Sequence, residues 1–207
     1  MARTRIKVCG ITRAVDLDAT LSAGVDALGF VFYLPSPRYL KADVARPLVS
    51  QVPPFVSRVG LFVNAEPAFV RSVLAEVSLD LLQFHGEESQ AYCEQFGLPY
   101  VKAARVRPGV DLVEFAASYA SARGVLLDAW VEGYGGAGVS FDWSLIPDRL
   151  PLPLVLSGGL HAGNVFEAVT NLRPWAVDVS SGVEVAKGVK DAEKIAAFVA
   201  AVRAADA

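Results

Sequence analysis

Histidine and cysteine are scarce in this 207-residue chain, with two of each. Cys9 and Cys93 lie far apart in apolar or helical surroundings, which is no disulfide framework and suits a reducing cytoplasm. The two histidines, His85 and His161, are too few for the clustered His and Asp ligands of a metal-dependent barrel, so no metal is expected. A basic surplus is missing too: 19 Lys and Arg stand against 22 Asp and Glu, which argues against a nucleic-acid partner. No uninterrupted apolar stretch is long enough to span a bilayer, so no membrane partner is expected. The opening MARTRIKVCG has basic residues without the apolar run of a signal peptide. The expectation is a soluble cytoplasmic protein. Linkers, low-complexity tracts and close repeats are also absent, which predicts one domain over residues 1–207.

What is abundant is core-forming material, 53% hydrophobic against 20% charged. Short β-branched runs alternate with longer amphipathic ones. The strand candidates are 5–9, 27–32, 58–63, 79–84, 100–105, 124–128, 152–156 and 176–180. Helical patterns cover 14–23, 67–76, 88–96, 110–120 and 161–171, and a last helix covers 191–204. That alternation is the mark of parallel βαβ units. Eight strands in the rhythm predict an α/β fold, a (β/α)8 TIM barrel at the short end of its size range. The alternative, an open doubly wound sheet, wants a glycine-rich loop after strand one, and Gly10-Ile11-Thr12-Arg13 is a poor one.

In a barrel the site is built where strands run into their following loops. Side chains alternate along a strand, so Lys7 and Cys9 share a face, as do Gln83 and His85, and as do Asp178 and Ser180. Strand six ends in Asp128 after Val125-Leu126-Leu127. Strands seven and eight run into Ser157-Gly158-Gly159 and Ser180-Ser181-Gly182, where glycines let backbone N–H groups approach an anion. Barrels often bind phosphate at these two loops. A third glycine loop, 135–138, could cover a substrate.

These segments resemble the phosphoribosylanthranilate isomerase family of tryptophan biosynthesis. The likeness is carried by KVCGITR (7–13), GFVFYLPSPRY (29–39), VGLFVN (59–64), LLQFHGEE (81–88) and LLD (126–128). It continues through GYGGAGVSFDW (133–143), VLSGGL (155–160), VDVSSGVE (177–184) and GVKD (188–191). The resemblance implies Cys9 as general base and Asp128 as general acid. It implies Arg38 on the anthranilate carboxylate, and Gly158, Gly159, Ser181 and Gly182 around the phosphate. Gly136 and Gly138 would lie near the ligand, and His85 is read as pocket-lining. One departure is His161-Ala162, where the family more often has Asn-Pro at the start of helix seven.

The implied reaction is an Amadori rearrangement of a phosphoribosyl amine. An acid protonates the ring oxygen and a base removes the proton at sugar C2, so two side chains suffice without metal or organic cofactor. Asp128 would need a raised pKa to act as an acid, and Cys9 a nearby cation to ionise. Lys7 is one candidate cation; Asp178 could instead pair with it and balance its charge. Without the resemblance Cys9 reads as core, Arg38 as a surface charge and His85 as structural. Cys93 reads as packing, and His161 as a helix-start residue. Two rivals are the histidine-pathway isomerase, which has aspartate at the end of strand one, and a noncatalytic phosphate-binding barrel. Monomer and homodimer both stay open.

Overall fold

The structure is a computed structural model that describes residues 3–129 and 141–207. Its strands are β1 (Arg5–Cys9), β2 (Ala27–Val31), β3 (Ser57–Phe62), β4 (Leu81–Phe84), β5 (Tyr100–Val106), β6 (Val125–Ala129), β7 (Leu154–Leu156) and β8 (Ala176–Val179). They pair in parallel in sequence order, and β8 closes on β1, so the sheet is a barrel rather than an open doubly wound one. The helices are α1 (Ala14–Ser22), α2 (Ala42–Val49), α3 (Pro67–Glu76), α4 (Gln90–Glu94), α5 (Leu112–Ala117), α6 (Val165–Leu172) and α7 (Ala192–Asp206). A small antiparallel pair, β9 (Glu184–Ala186) with β10 (Val189–Lys190), stands after β8.

Local chemistry starts these helices where the chain needs them. Pro67 opens α3 at a position whose N–H has no intrahelical partner. The Asp111 side chain accepts from the N–H groups of Val113 and Glu114, and that of Asp191 from Lys194, each filling an orphan donor. The helix α2 and the strands β9 and β10 lie outside the sequence expectation. In α2, burial of Ala45, Leu48 and Val49 outweighs Pro47, which withholds one backbone donor from the last turn. The β9–β10 pair is too short to carry a strand pattern.

The outward strand face packs on the helices. Ile6, Val8, Leu28, Phe30, Phe62, Leu82 and Phe84 are sealed from solvent together with Leu17, Val70 and Phe198 of the helices. Aromatic rings run across neighbouring strands, Phe32 on Phe62 at 5.3 Å, Phe62 on Phe84 at 6.3 Å and Phe84 on Tyr100 at 6.0 Å. Each such fully buried ring contributes about 1.5–3 kcal/mol over an exposed one. This shell fixes the strand ends from which the site residues project.

Candidate active site

Lys7 and Asp178 are register partners on β1 and β8, and their side chains meet inside the barrel with Nζ 2.7 Å from Oδ2. Burial opposes the Lys7 charge, but the Asp178 carboxylate and the Cys9 thiol outweigh it and hold its pKa above the ordinary value. Lys7 is therefore a charged neighbour of both groups, where the sequence left its role open. Cys9, at the end of β1, is buried. Burial pushes its thiol up, with Lys7 and Lys190 pulling the other way. Gly29 makes room for it: a Cβ there would stand 2.6 Å from Cys9 Sγ.

Asp128 stands three strand steps from Cys9 around the barrel, along β1–β8–β7–β6. Its Oδ1 accepts from the Ala129 N–H at 2.9 Å, and its Oδ2 lies 3.1 Å from His85 Nε2. His85 Nδ1 in turn lies 3.1 Å from the Gln83 carboxamide nitrogen. Gln83, His85 and Asp128 thus form one chain across β4 and β6.

Arg38 is buried, and its Nε and Nη2 fork onto Glu184, each at 2.8 Å. Glu184 also takes Lys190 Nζ at 2.8 Å. Burial works against the Glu184 charge, yet Arg38 and Lys190 hold its carboxyl below the usual range. Lys190 reaches further, donating to the carbonyls of Cys9 at 2.6 Å and Ser180 at 3.1 Å. It ties the end of β1 to the end of β8. Sequence reasoning gave Glu184 and Lys190 no part, although both fall inside segments that carry the family likeness, VDVSSGVE and GVKD.

The two expected phosphate loops touch each other. Gly158 and Gly159 have φ of 83° and 63°, left-handed values that glycine adopts without strain. Ser181 and Gly182 lie in a 3-10 turn, Ser181–Val183, and a Cβ on Gly182 would run into the Leu160 carbonyl. The helix after the first loop begins later than expected, at Val165, so His161 is not its first residue. His161–Asn164 is a turn instead, because Asn164 accepts from the His161 N–H at 2.8 Å and donates to the Gly159 carbonyl at 3.0 Å. Asn164 thereby braces the loop, a role sequence reasoning missed. Gly136 and Gly138 lie outside the described residues.

Among the described residues, no three His, Cys, Asp or Glu side chains gather as a metal-binding group, and no helix is long and apolar enough to cross a membrane. A groove of about 800 Å³ opens at the other end of the barrel, where Arg5, Arg173 and Trp175 mark the strand starts. It is remote from the residues above. The fold and the strand-end residues define a class, the (β/α)8 barrel enzymes with ionisable side chains gathered at the C-terminal mouth.

Residues 6–201 match the family model described as N-(5'phosphoribosyl)anthranilate (PRA) isomerase. A relative from Dechloromonas aromatica, N-(5'-phosphoribosyl)anthranilate isomerase, is 63% identical over 99% of this chain and 98% of its own. The phosphoribosyl anthranilate isomerase of Thermotoga maritima is 43% identical, with a TM-score of 0.90 over 97% of this chain and 99% of that one. A solved phosphoribosyl anthranilate isomerase in complex with reduced 1-(o-carboxyphenylamino)-1-deoxyribulose 5-phosphate is 41% identical, with a TM-score of 0.86 over the same shares. The chain belongs to the N-(5'-phosphoribosyl)anthranilate isomerase family.

Proposed function

We propose that this enzyme converts N-(5-phosphoribosyl)anthranilate to 1-(2-carboxyphenylamino)-1-deoxyribulose 5-phosphate, in the cytoplasm and as a step of tryptophan biosynthesis. The observation that carries the reading is the pairing of Cys9 and Asp128 at two strand ends of one mouth, beside glycine loops after β7 and β8. The 1–207 chain acts as one domain, and every residue named is supplied by one chain, so a monomer or a homodimer serves equally.

The phosphate sits against Gly158 and Gly159, where positive φ turns backbone N–H groups toward an anion, and against Ser181 and Gly182 of the neighbouring 3-10 turn. Arg38, held by Glu184, presents its guanidinium to the anthranilate carboxylate. Asp128 gives its proton to the ribose ring oxygen; the C1–O bond breaks and the nitrogen lone pair forms the C1=N bond. Cys9, as thiolate, then takes the proton from C2 and leaves an enolamine that tautomerises to the ketone. The substrate gains one proton and loses one, so the enzyme needs only to return the Cys9 proton to the acid.

Lys7 and Lys190 favour the Cys9 thiolate against its burial. Turnover by the purified protein and rescue of a tryptophan auxotroph lacking this step test the reading. Soluble protein that neither rescues nor turns over the phosphoribosyl amine would refute it, as would Cys9→Ala and Asp128→Asn variants that both keep wild-type turnover. A positioned acid or base normally contributes about 10²–10⁴-fold.

A further inference from the structure

An acid on a strand end must hold its proton near neutrality, and the line behind Asp128 can do that. Gln83 and His85 are both buried. His85 Nε2 is 3.1 Å from Asp128 Oδ2 but makes no aligned hydrogen bond, and Gln83 Oε1 has no partner either among the described residues. Two orphan polar atoms in one line are costly unless the line has a second arrangement. The two ends of a carboxamide occupy the same envelope, so Gln83 can turn either its nitrogen or its oxygen to His85 Nδ1.

The two arrangements differ in chemistry. With the Gln83 nitrogen on Nδ1, that ring nitrogen must stay a bare acceptor, Nε2 carries a fixed N–H, and Asp128 is kept as carboxylate. With the Gln83 oxygen on Nδ1–H, Nε2 is free to hold or release a proton toward Oδ2.

We infer that Gln83 and His85 are positioning residues that hold one shared proton at the approach of His85 Nε2 to Asp128 Oδ2, and so arm Asp128 as the acid. This rests on the acid assigned to Asp128 above. The proton leaves Nε2 of an imidazolium for Oδ2, Asp128 passes it to the ring oxygen, and His85 is left neutral with its remaining proton on Nδ1. The proton taken by Cys9 returns to the pair through solvent as product leaves. Other charges face the pair. Asp178 on β8 acts on both members and is itself held by Lys7 on β1. Arg105, beside Asp128 in register on β5, also reaches Glu87.

Two measurements test the relay. Imidazole ¹⁵N NMR reads it without turnover, because the chain has only two histidines and His161→Ala assigns the other. In the wild type the His85 Nε2 signal is expected to report a proton exchanging with Asp128, and Asp128→Asn should change that signal. A fixed Nε2–H signal, unchanged by Asp128→Asn, would overturn the inference even if the protein proves an active isomerase. The second reading is the pH dependence of kcat. His85→Gln keeps a polar group near Nε2 but cannot store a proton, so the alkaline limb should move to lower pH. The kcat at neutral pH should fall about 10–100-fold, less than the roughly 10²–10⁴-fold of a group that acts as acid or base itself, with KM nearly unchanged. Gln83→Leu should move the limb the same way and Gln83→Glu the opposite way. A uniform loss at every pH, or a limb that stays put in all three variants, would mean that the line is only structural.

Discussion

Arg38 and Glu184 meet as a two-pronged pair, each of two guanidinium nitrogens 2.8 Å from its own carboxylate oxygen, with both side chains buried. Arg38 comes from the loop after β2 and Glu184 opens the small strand after β8, so the pair closes the mouth across β1. The fork fixes the guanidinium plane as no single contact would.

Glu184→Ala should therefore loosen Arg38 and leave both it and Lys190 without their carboxylate. Removing one member of a buried pair typically costs about 3–5 kcal/mol. Under the proposed reaction KM for the phosphoribosyl amine should rise more than kcat falls. The sign with pH follows from the lowered Glu184 pKa. Its stabilisation is present above the ordinary carboxyl value and is lost as pH falls through the folded value. Urea unfolding at pH 7 and again under acid conditions should show the gap between wild type and variant narrowing in acid.

Gly29→Ala tests whether the thiol needs its niche. The new methyl would stand 2.6 Å from Cys9 Sγ, well inside contact distance, and the thiol is the softer party. The expected result under the proposed reaction is a folded protein with kcat reduced by about 10²-fold or more, since a misplaced base loses much of its contribution. Circular dichroism and steady-state kinetics together check this. Wild-type turnover in the folded variant would show that Cys9 does not need its present position.

The barrel and the strand-end residues were legible because each depends on a periodicity. Lys7, Cys9, Gln83 and His85 fall on one face by simple alternation, and Asp128 ends an apolar run. Most of what was not legible depends on contacts distant in sequence. The Arg38–Glu184 pair spans 146 residues and the contact of Lys190 with the Cys9 carbonyl spans 181. The start of α6 at Val165 was missed because the Asn164 amide satisfies the His161 and Gly159 backbone groups that a helix would otherwise have used. The His85–Asp128 approach joins β4 and β6, which are separated by β5, so no pairing rule places them together.

Alkaline stability should be limited by groups away from the mouth. Burial pushes the Cys93 thiol from its ordinary 9.0 up to about 12. Burial, with nearby acidic groups such as Glu88, also pushes the Tyr92 and Tyr119 hydroxyls from 10.0 to about 12. A raised folded pKa gives stability that is whole below the unfolded value and lost as pH climbs toward the folded one. Urea midpoints should thus hold up to about pH 9 and then decline toward pH 12. Cys93→Val, which keeps an apolar side chain there, should delay the decline. A flat profile through pH 11 would contradict the assignment of these groups as buried and neutral.

Gly182→Ala separates the two proposed phosphate loops without touching Cys9 or Asp128. Its Cβ would run into the Leu160 carbonyl, a backbone atom braced through the turn that Asn164 holds. Because that carbonyl does not yield as a side chain would, the two loops must part, and under the proposed reading the backbone N–H groups that meet the phosphate diverge. Inorganic phosphate should then inhibit more weakly and KM for the substrate should rise. A tenfold change in each corresponds to about 1.4 kcal/mol of lost anion binding. The C2 proton transfer should be spared, so kcat at saturating substrate should fall much less than kcat/KM. A variant that binds phosphate as the wild type does would place the anion elsewhere in the mouth.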